Sequence, residues 1–300
     1  MTAPVKPPLT ASRSIRPLIV ATLGILVLTV MDAAVKALAA RHTVVEIALA
    51  RYLFGAGFAL AIAAYVGMKR PSAATLRAHL LRTSFVVSTA ILFFTALARL
   101  PMTEALTISF IAPALVAVFA RFILGEAVSR LTIVSIAVCF LGVLVIARED
   151  MAHWKNPAED AIGLFAAIGA AFTYAMALVL LRQRAQADGL VTTVTMQNLI
   201  AIAYLTPIAA AWTGRVPLDG LIAEWPTLIV IGGLGTMGHL MLAYAYSQAV
   251  AARIGAVEYS GLIWAVIIGF FWFGEWPTPS TLAGAALIVG GSSLLLYRGK

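Results

Sequence analysis

Apolar runs long enough to cross a lipid bilayer recur along the whole chain, and that recurrence restricts the fold more than any motif does. A bilayer core of about 30 Å takes roughly 20 apolar residues per helix. Runs of this kind fall at 17–40, 44–67, 79–98, 102–122, 130–148, 161–181, 191–213, 226–248, 252–273 and 278–297. Lipid offers no partner to a backbone N–H or C=O, so a spanning segment must satisfy its own hydrogen bonds, as a helix does. The runs are too long and too uniformly apolar for barrel strands, which alternate. The expected fold class is therefore an all-α membrane protein with ten transmembrane helices. Composition agrees: 62% of the residues are hydrophobic and 11% charged, where a soluble domain carries about a quarter charged.

Charges in the connections give the helices a direction. Of the 21 Lys and Arg, fourteen collect on one side: Lys6, Arg13 and Arg16, then Lys69, Arg70, Arg77 and Arg82, then Arg121 and Arg130, Arg182 and Arg184, Arg253, and Arg298 and Lys300. Five fall on the other side (Arg41, Arg99, Arg148, Lys155 and Arg215), and Lys36 and Arg51 lie within spans. The positive-inside rule then places both termini in the cytoplasm of a bacterial-type inner membrane. The acidic stretch 149–160, with Glu149, Asp150, Glu159 and Asp160, falls outside and separates two sets of five spans. The chain thus divides into a cytoplasmic tail 1–16, a first five-helix unit 17–148, an extracytoplasmic linker 149–160 and a second unit 161–298. A cleaved signal peptide is the rival reading of the first run, with Arg13 and Arg16 as its basic region and Ala37-Leu38-Ala39 as its cleavage site. Cleavage would leave nine spans.

The net charge of +8 is spread over one side of the membrane rather than gathered in a basic tract, so nucleic acid is not an expected partner. The single cysteine, Cys139, excludes an intrachain disulfide and a cysteine-based zinc cluster. No metal site or cofactor is expected.

The two units resemble each other. Residues 97–148 laid over 246–297 without a gap put Gly125-Glu126 on Gly274-Glu275 and Gly142 on Gly291. Because each unit holds an odd number of spans, the second enters the bilayer upside down relative to the first. Inverted repeats are a recurring transporter architecture, with a binding site near the midplane where the repeats meet. Two similar halves of opposite orientation can exchange inward-facing and outward-facing shapes, which is a structural basis for alternating access. A duplication in a membrane protein of another kind is the bland alternative.

Ten short spans in five-plus-five inverted halves with a cytoplasmic N-terminus resemble the drug/metabolite transporter superfamily, in its EamA-type branch. The stretch Ala105-Leu106-Thr107-Ile108-Ser109-Phe110-Ile111-Ala112-Pro113, followed by Gly125-Glu126, resembles that family's fourth-span pattern. The second half keeps the Gly274-Glu275 corner but has Leu262 where the proline would fall. The resemblance implies an exporter of a small-molecule substrate, closest in kind to the exporters of amino acids, aromatic ones included. Nucleosides, sugar derivatives and other metabolites or drugs are the alternative cargo, and a channel-like facilitator is the rival to an exporter.

An ionisable residue inside a span costs roughly 2.5–3.5 kcal/mol on insertion scales, so each one is a functional candidate. Asp32 and Lys36 share a face of the first span, Arg51 lies on the second, and Glu104 begins the fourth. All four fall in the outer half of the membrane and sum to zero charge. They form either an outer gate, with Asp32 pairing to Lys36 or Arg51 when the cavity faces inward, or a permanent ion pair. Polar groups of the second half are mostly neutral: Tyr174, Gln197, Asn198, His239, and Tyr244 with Gln248 one turn apart. Glu258 is its main acid, with Trp264 and Tyr259 nearby. Aromatic faces for a side chain and polar groups for an amine and a carboxylate suit an amphipathic zwitterion. His79 sits at the cytoplasmic mouth of the third span, where it meets an incoming carboxylate, carries a proton, or has no role. Pro113 and Pro207 interrupt spans and are hinge candidates or static bends.

Gly233-x-Gly235-x-x-Gly238 matches a dinucleotide-binding string but lies inside an apolar span with no preceding strand, so it reads as small residues for close helix packing. Gly284, Gly290 and Gly291 in the tenth span read the same way, pairing either two chains or neighbours within one. No phosphate-cradling lysine motif, HExxH or nucleophile elbow occurs, so neither ATP hydrolysis nor another enzyme activity is expected. Energy for transport would come from the substrate's own gradient or from proton exchange through Glu258, Asp32 or Glu104.

Overall fold

The computed structural model describes residues 15–68, 71–124, 130, 133–134, 137–138, 140–142, 144–145, 157–214, 218, 220–248, 254, 257–258 and 260–297. They form α1 (Arg16–Ala39), α2 (Val44–Val66), α3 (Ala73–Arg99), α4 (Met102–Ser109), α5 (Ala112–Leu124), α6 (Pro157–Asp188), α7 (Leu190–Thr213), α8 (Trp225–Gln248), α9 (Ser260–Phe273) and α10 (Pro279–Tyr297), with a single 3-10 turn at Leu221–Glu224 before α8. The described residues between 130 and 145 are helical as well. The Gly125-Glu126 corner, Tyr259 and most of the 149–160 linker lie outside the described residues.

Seven helical segments among the described residues are long and apolar enough to cross a membrane, and two further apolar helices, Ser260–Phe273 and Pro279–Gly291, are shorter. The expected fourth span is α4 and α5 together, broken at Phe110 and Ile111. The third and sixth helices run past the apolar runs that announced them. Ser72 accepts the backbone N–H of Thr75 and starts α3 about two turns before residue 79, and α6 continues to Asp188. Arg77, His79, Arg82, Arg182 and Arg184 therefore sit on helices and not in connections. Large apolar side chains such as Phe165, Trp212, Phe271 and Trp272 are exposed on the outside of the bundle, as a lipid-facing surface requires.

Neighbours come chiefly from opposite halves. α1 packs along α8, α3 along α6, and α2 along both α7 and α8. Exchanging the halves (α1 for α6, α2 for α7, α3 for α8, α4 and α5 for α9) turns the α1–α8 pair into α6–α3 and the α2–α8 pair into α7–α3. It turns α1–α9 into the α6 contact with α4 and α5, and leaves α2–α7 and α4–α9 unchanged. Each of these pairs is in contact. The pattern of contacts between the halves is thus preserved when the halves are exchanged, and both contribute to the middle of the bundle.

Glycines let the cross-half helices meet at backbone distance. A methyl group built on Gly232 would lie 2.7 Å from Gly55 N, and one on Gly238 would lie 2.5 Å from Leu28 Cγ and 3.2 Å from Gly24 O. The glycine string of α8 is a packing surface for α1 and α2, as its apolar setting predicts. In the tenth helix, the carbonyl of Gly284 lies 2.7 Å from where Gly142 would carry a methyl, while Gly290 faces open space.

Candidate functional site

A cavity of about 200 Å3 lies where the halves meet, lined by α1 to α5 of the first and α6 to α9 of the second. Along α3 it extends from Arg82 to Phe94, about 18 Å at the helical rise. Most of its wall is apolar or aromatic, with Tyr52, Phe93, Phe94, Phe110 and Tyr174 among the lining side chains. Its ionisable groups are Asp32, Arg51, Arg82, His239 and Glu258, joined by the hydroxyls of Thr29 and Ser109.

Two guanidinium groups dominate the polar chemistry. Arg51 is buried, stacked over the Tyr52 ring at 4.3 Å, with Nε 3.2 Å from Met31 Sδ. Gly235 provides the space: a methyl there would meet Arg51 Nε at 3.0 Å. Arg51 Nη2 approaches His239 Nδ1 at 3.3 Å, but that Nδ1 also lies 2.7 Å from Gly235 O. A carbonyl only accepts, so Nδ1 carries a hydrogen toward Gly235 and has no lone pair for Arg51; Nε2 is the acceptor of the neutral ring. Arg51 Nη1 has no hydrogen-bond partner among the described residues. Arg82 is likewise buried and donates through Nη2 to Gln197 Oε1 at 2.7 Å, leaving Nε and Nη1 without partners among the described residues. A guanidinium offers five donors and no acceptor, so the cavity holds spare donors suited to a carboxylate.

Acidic groups stand opposite. Asp32, on α1, is buried and lines the cavity. Glu258 is buried and accepts the Tyr246 hydroxyl at 2.5 Å through Oε1. Spare guanidinium donors and buried carboxylates around one apolar space can receive a molecule carrying both an acidic and a basic end.

Of the residues singled out from sequence, the cavity brings together Asp32, Arg51, Tyr174, His239, Glu258 and Pro113, the last just past the break between α4 and α5. The others lie elsewhere. Lys36, one turn beyond Asp32, does not pair with it. Its Nζ sits 3.0 Å from Glu275 Oε1 and donates to the carbonyls of Leu100 (2.6 Å) and Leu97 (3.2 Å) at the end of α3. Glu275 reaches this point because Gly274, at φ +65°, ends the ninth helix in a conformation that glycine adopts freely. Its Oε2 also accepts the Met102 N–H at the start of α4, at 2.7 Å. Glu104 is buried on α4 away from the cavity lining. Tyr244 is half-buried and Gln248 exposed, Trp264 packs in a satellite apolar cluster, and Pro207 faces outward on α7. Asn198 donates to Val194 O of its own helix at 2.9 Å.

His79 is 2% exposed, not at an open mouth, with Nε2 3.3 Å from Asp188 Oδ2. That approach lacks the alignment of a hydrogen bond. Asp188, beyond the spanning part of α6, takes two bonds from Arg184 (2.9 and 3.0 Å) and one from the Thr75 hydroxyl (3.1 Å). Burial pushes its carboxyl up, but the hydrogen bonds and charge of Arg184, with Thr75 and His79, outweigh that and hold it below the usual aspartate value.

Two candidate residues escaped the sequence reading. Arg82 was grouped with the cytoplasmic loop charges, because a cation near the end of an apolar run resembles a loop residue. Its signal was the spacing: Arg82 is three residues inside the run that starts at 79. Tyr246, which donates to Glu258, lies on the face of α8 opposite Tyr244 and Gln248, two residues from each.

Comparison with known proteins agrees with this architecture. The EamA-like transporter family model matches twice, over residues 15–148 and 161–297. Similar proteins include the pseudopaline exporter of Pseudomonas aeruginosa strain UCBPP-PA14, 27% identical over 66% of each chain. The S-adenosylmethionine uptake transporter of Rickettsia bellii is 25% identical over 90% of this chain and 89% of its own. The riboflavin transporter of Brucella anthropi is 26% identical over 73% of this chain and 75% of its own. None of these three is named as an amino-acid exporter, so they support transport of small metabolites and not the narrower expectation of amino-acid export. A solved crystal structure superimposes with a TM-score of 0.64 over 95% of this chain and 99% of the other at 17% identity, a likeness of fold alone. The chain therefore belongs to the EamA-like transporter family, as a multi-pass membrane protein that is a secondary transporter of small metabolites and not an enzyme.

Proposed function

We propose that the chain carries small zwitterionic metabolites, amino acids and their derivatives first among them, by alternating access of two inverted five-helix halves. The halves are 17–148 and 161–298, joined by the linker 149–160, with both termini cytoplasmic. One observation carries this reading: the cavity between the halves sets the spare donors of Arg51 and Arg82 against the carboxylates of Asp32 and Glu258, in an otherwise aromatic wall. The guanidinium groups take the substrate's carboxylate, the acids take its amine, and the rings take its side chain. The pseudo-two-fold exchange of helix contacts supports an inverted repeat. Asp32 and Glu258 are also the groups through which a proton would be exchanged for substrate.

Export is the direction we assign, in line with the pseudopaline exporter. Uptake is the second reading, favoured by the S-adenosylmethionine uptake transporter, which aligns over 90% of this chain and whose cargo has an amino-acid end. Counterflow of labelled amino acids and S-adenosylmethionine in proteoliposomes tests the substrate class. Saturable exchange that is lost in Arg51→Gln and Asp32→Asn at unchanged expression is the expected result. Wild-type rates in Asp32→Asn would remove that residue from the mechanism, and exchange of neutral solutes alone would overturn the zwitterion reading.

A further inference from the structure

We propose that His79, Arg82 and Arg184 form a second, smaller station for a carboxylate-sized anion, next to the main cavity and at the far end of α3 from Lys36. A pocket of about 80 Å3 lies between α3, α6 and α7, bordered by these three residues together with Ala78 and Thr193. It is separate from the main cavity but shares two residues with it, Arg82 and Leu181. Water needs only roughly 10–15 Å3 of such space, so a carboxylate or chloride fits, whereas a whole aromatic amino acid does not.

The charge and hydrogen-bond inventory points to an anion. Arg82 is 6% exposed and His79 2% exposed. Among the described residues, Arg82 Nε and Nη1 and His79 Nδ1 are buried without a hydrogen-bond partner, while His79 Nε2 faces Asp188 Oδ2 at 3.3 Å. Arg184, at the pocket wall, is held in place by its ion pair with Asp188 and by the Thr75 hydroxyl. Asp188 neutralises one of the two guanidinium groups and leaves the other without a counter-charge in the pocket. Guanidinium groups cannot accept hydrogen bonds or lose their charge, so a small anion satisfies what the protein leaves open. The two spare donors of Arg82 lie on either side of the Nη2 that Gln197 occupies. Arg82 borders both the pocket and the main cavity, so an anion in either space lies next to the same side chain. The station's place on a transport path rests on the carrier reading above; its affinity for an anion does not.

The test is binding of chloride to the full chain in nanodiscs, read as excess 35Cl linewidth, with acetate as competitor. Wild-type protein is expected to show excess width that acetate removes. Arg82→Gln should weaken chloride binding at least ~10-fold, as loss of charge-assisted hydrogen bonds does. Ala78→Phe, which fills the pocket and leaves every charge in place, should do the same, and Thr193→Leu serves if that variant fails to fold. No excess width, meaning water alone in the pocket, overturns the proposal. So does loss in Arg82→Gln with retention in both pocket-filling variants, because the anion then sits in the main cavity. Flux of L-phenylalanine in proteoliposomes distinguishes the source of the anion. A rise on replacing chloride with gluconate identifies the station with the substrate's carboxylate, and a fall identifies it with a co-transported anion. Absence of any amino-acid flux would sink the substrate class proposed above while leaving the chloride result standing.

Discussion

Lys36→Met should loosen the end of the bundle one helical turn beyond Asp32 in the cavity wall, which under the alternating-access proposal is the closed end. Lys36 Nζ holds three oxygens: Glu275 Oε1 at 3.0 Å, Leu100 O at 2.6 Å and Leu97 O at 3.2 Å. It thereby ties α1 to the end of α3 and to the corner before α10, while Glu275 ties that corner to the start of α4. Removing one partner of a fully buried pair costs about 3–5 kcal/mol. Here the side chains are 15% and 18% exposed, so solvent screens part of the interaction, and a cost of about 2 kcal/mol is appropriate. If these contacts exist only while this end is closed, the closed-to-open ratio falls by about 30-fold. Accessibility of the cavity reads that ratio. In a Cys139→Ser background, Ser109→Cys places a thiol in the cavity wall seven residues beyond Met102, about 10 Å deeper along the helix. Labelling by a membrane-impermeant maleimide added from the Lys36 side should accelerate by up to ~30-fold in Lys36→Met. Glu275→Gln should give a smaller increase, and the double variant less than the product of the two, because both remove the same contact. A Lys36→Met rate within about twofold of its parent, the scatter expected of uncoupled sites, with the same melting temperature, would refute the closure role.

Three further outcomes are expected. Gly238→Ala puts a methyl 2.5 Å from Leu28 Cγ and 3.2 Å from the Gly24 carbonyl; overpacking of this kind costs about 1–3 kcal/mol, read as a lowered melting temperature in detergent. Gly235→Ala crowds Arg51 Nε at 3.0 Å and Met31 Sδ at 3.1 Å, both flexible side chains, so substrate affinity should fall in a counterflow assay while the melting temperature holds. Asp188, whose carboxyl is held below its usual value, contributes stability that is present above the unfolded pKa of about 3.9 and lost as pH falls through the lowered folded value. Thermal melts of wild type and Asp188→Asn across that window should converge at the acid end; curves that stay parallel would contradict the assignment.

Much of the bundle was legible in the residues because the bilayer is a nearly one-dimensional constraint. Hydropathy along the chain located every long apolar helix, and the apolar setting of Gly233, Gly235 and Gly238 marked a packing face rather than a nucleotide site. Helix ends were less legible, since α3 and α6 continue beyond lipid depth on capping and helix-to-helix contact. Arg82 was misplaced for that reason. It lies on α3, where Gln197 from the other half takes one of its donors.

Local composition thus determined that this chain spans a membrane as helices, that its halves repeat, and which buried charges were candidates. Only the tertiary structure decided how those charges divide. Asp32, Arg51, Arg82 and Glu258 face one cavity, Lys36 joins Glu275 at its end, and His79 and Arg184 meet Asp188. The physical reason is that burial is a property a residue shares with its neighbours in sequence, whereas a counter-charge or hydrogen-bond partner is supplied by whichever helix packs alongside.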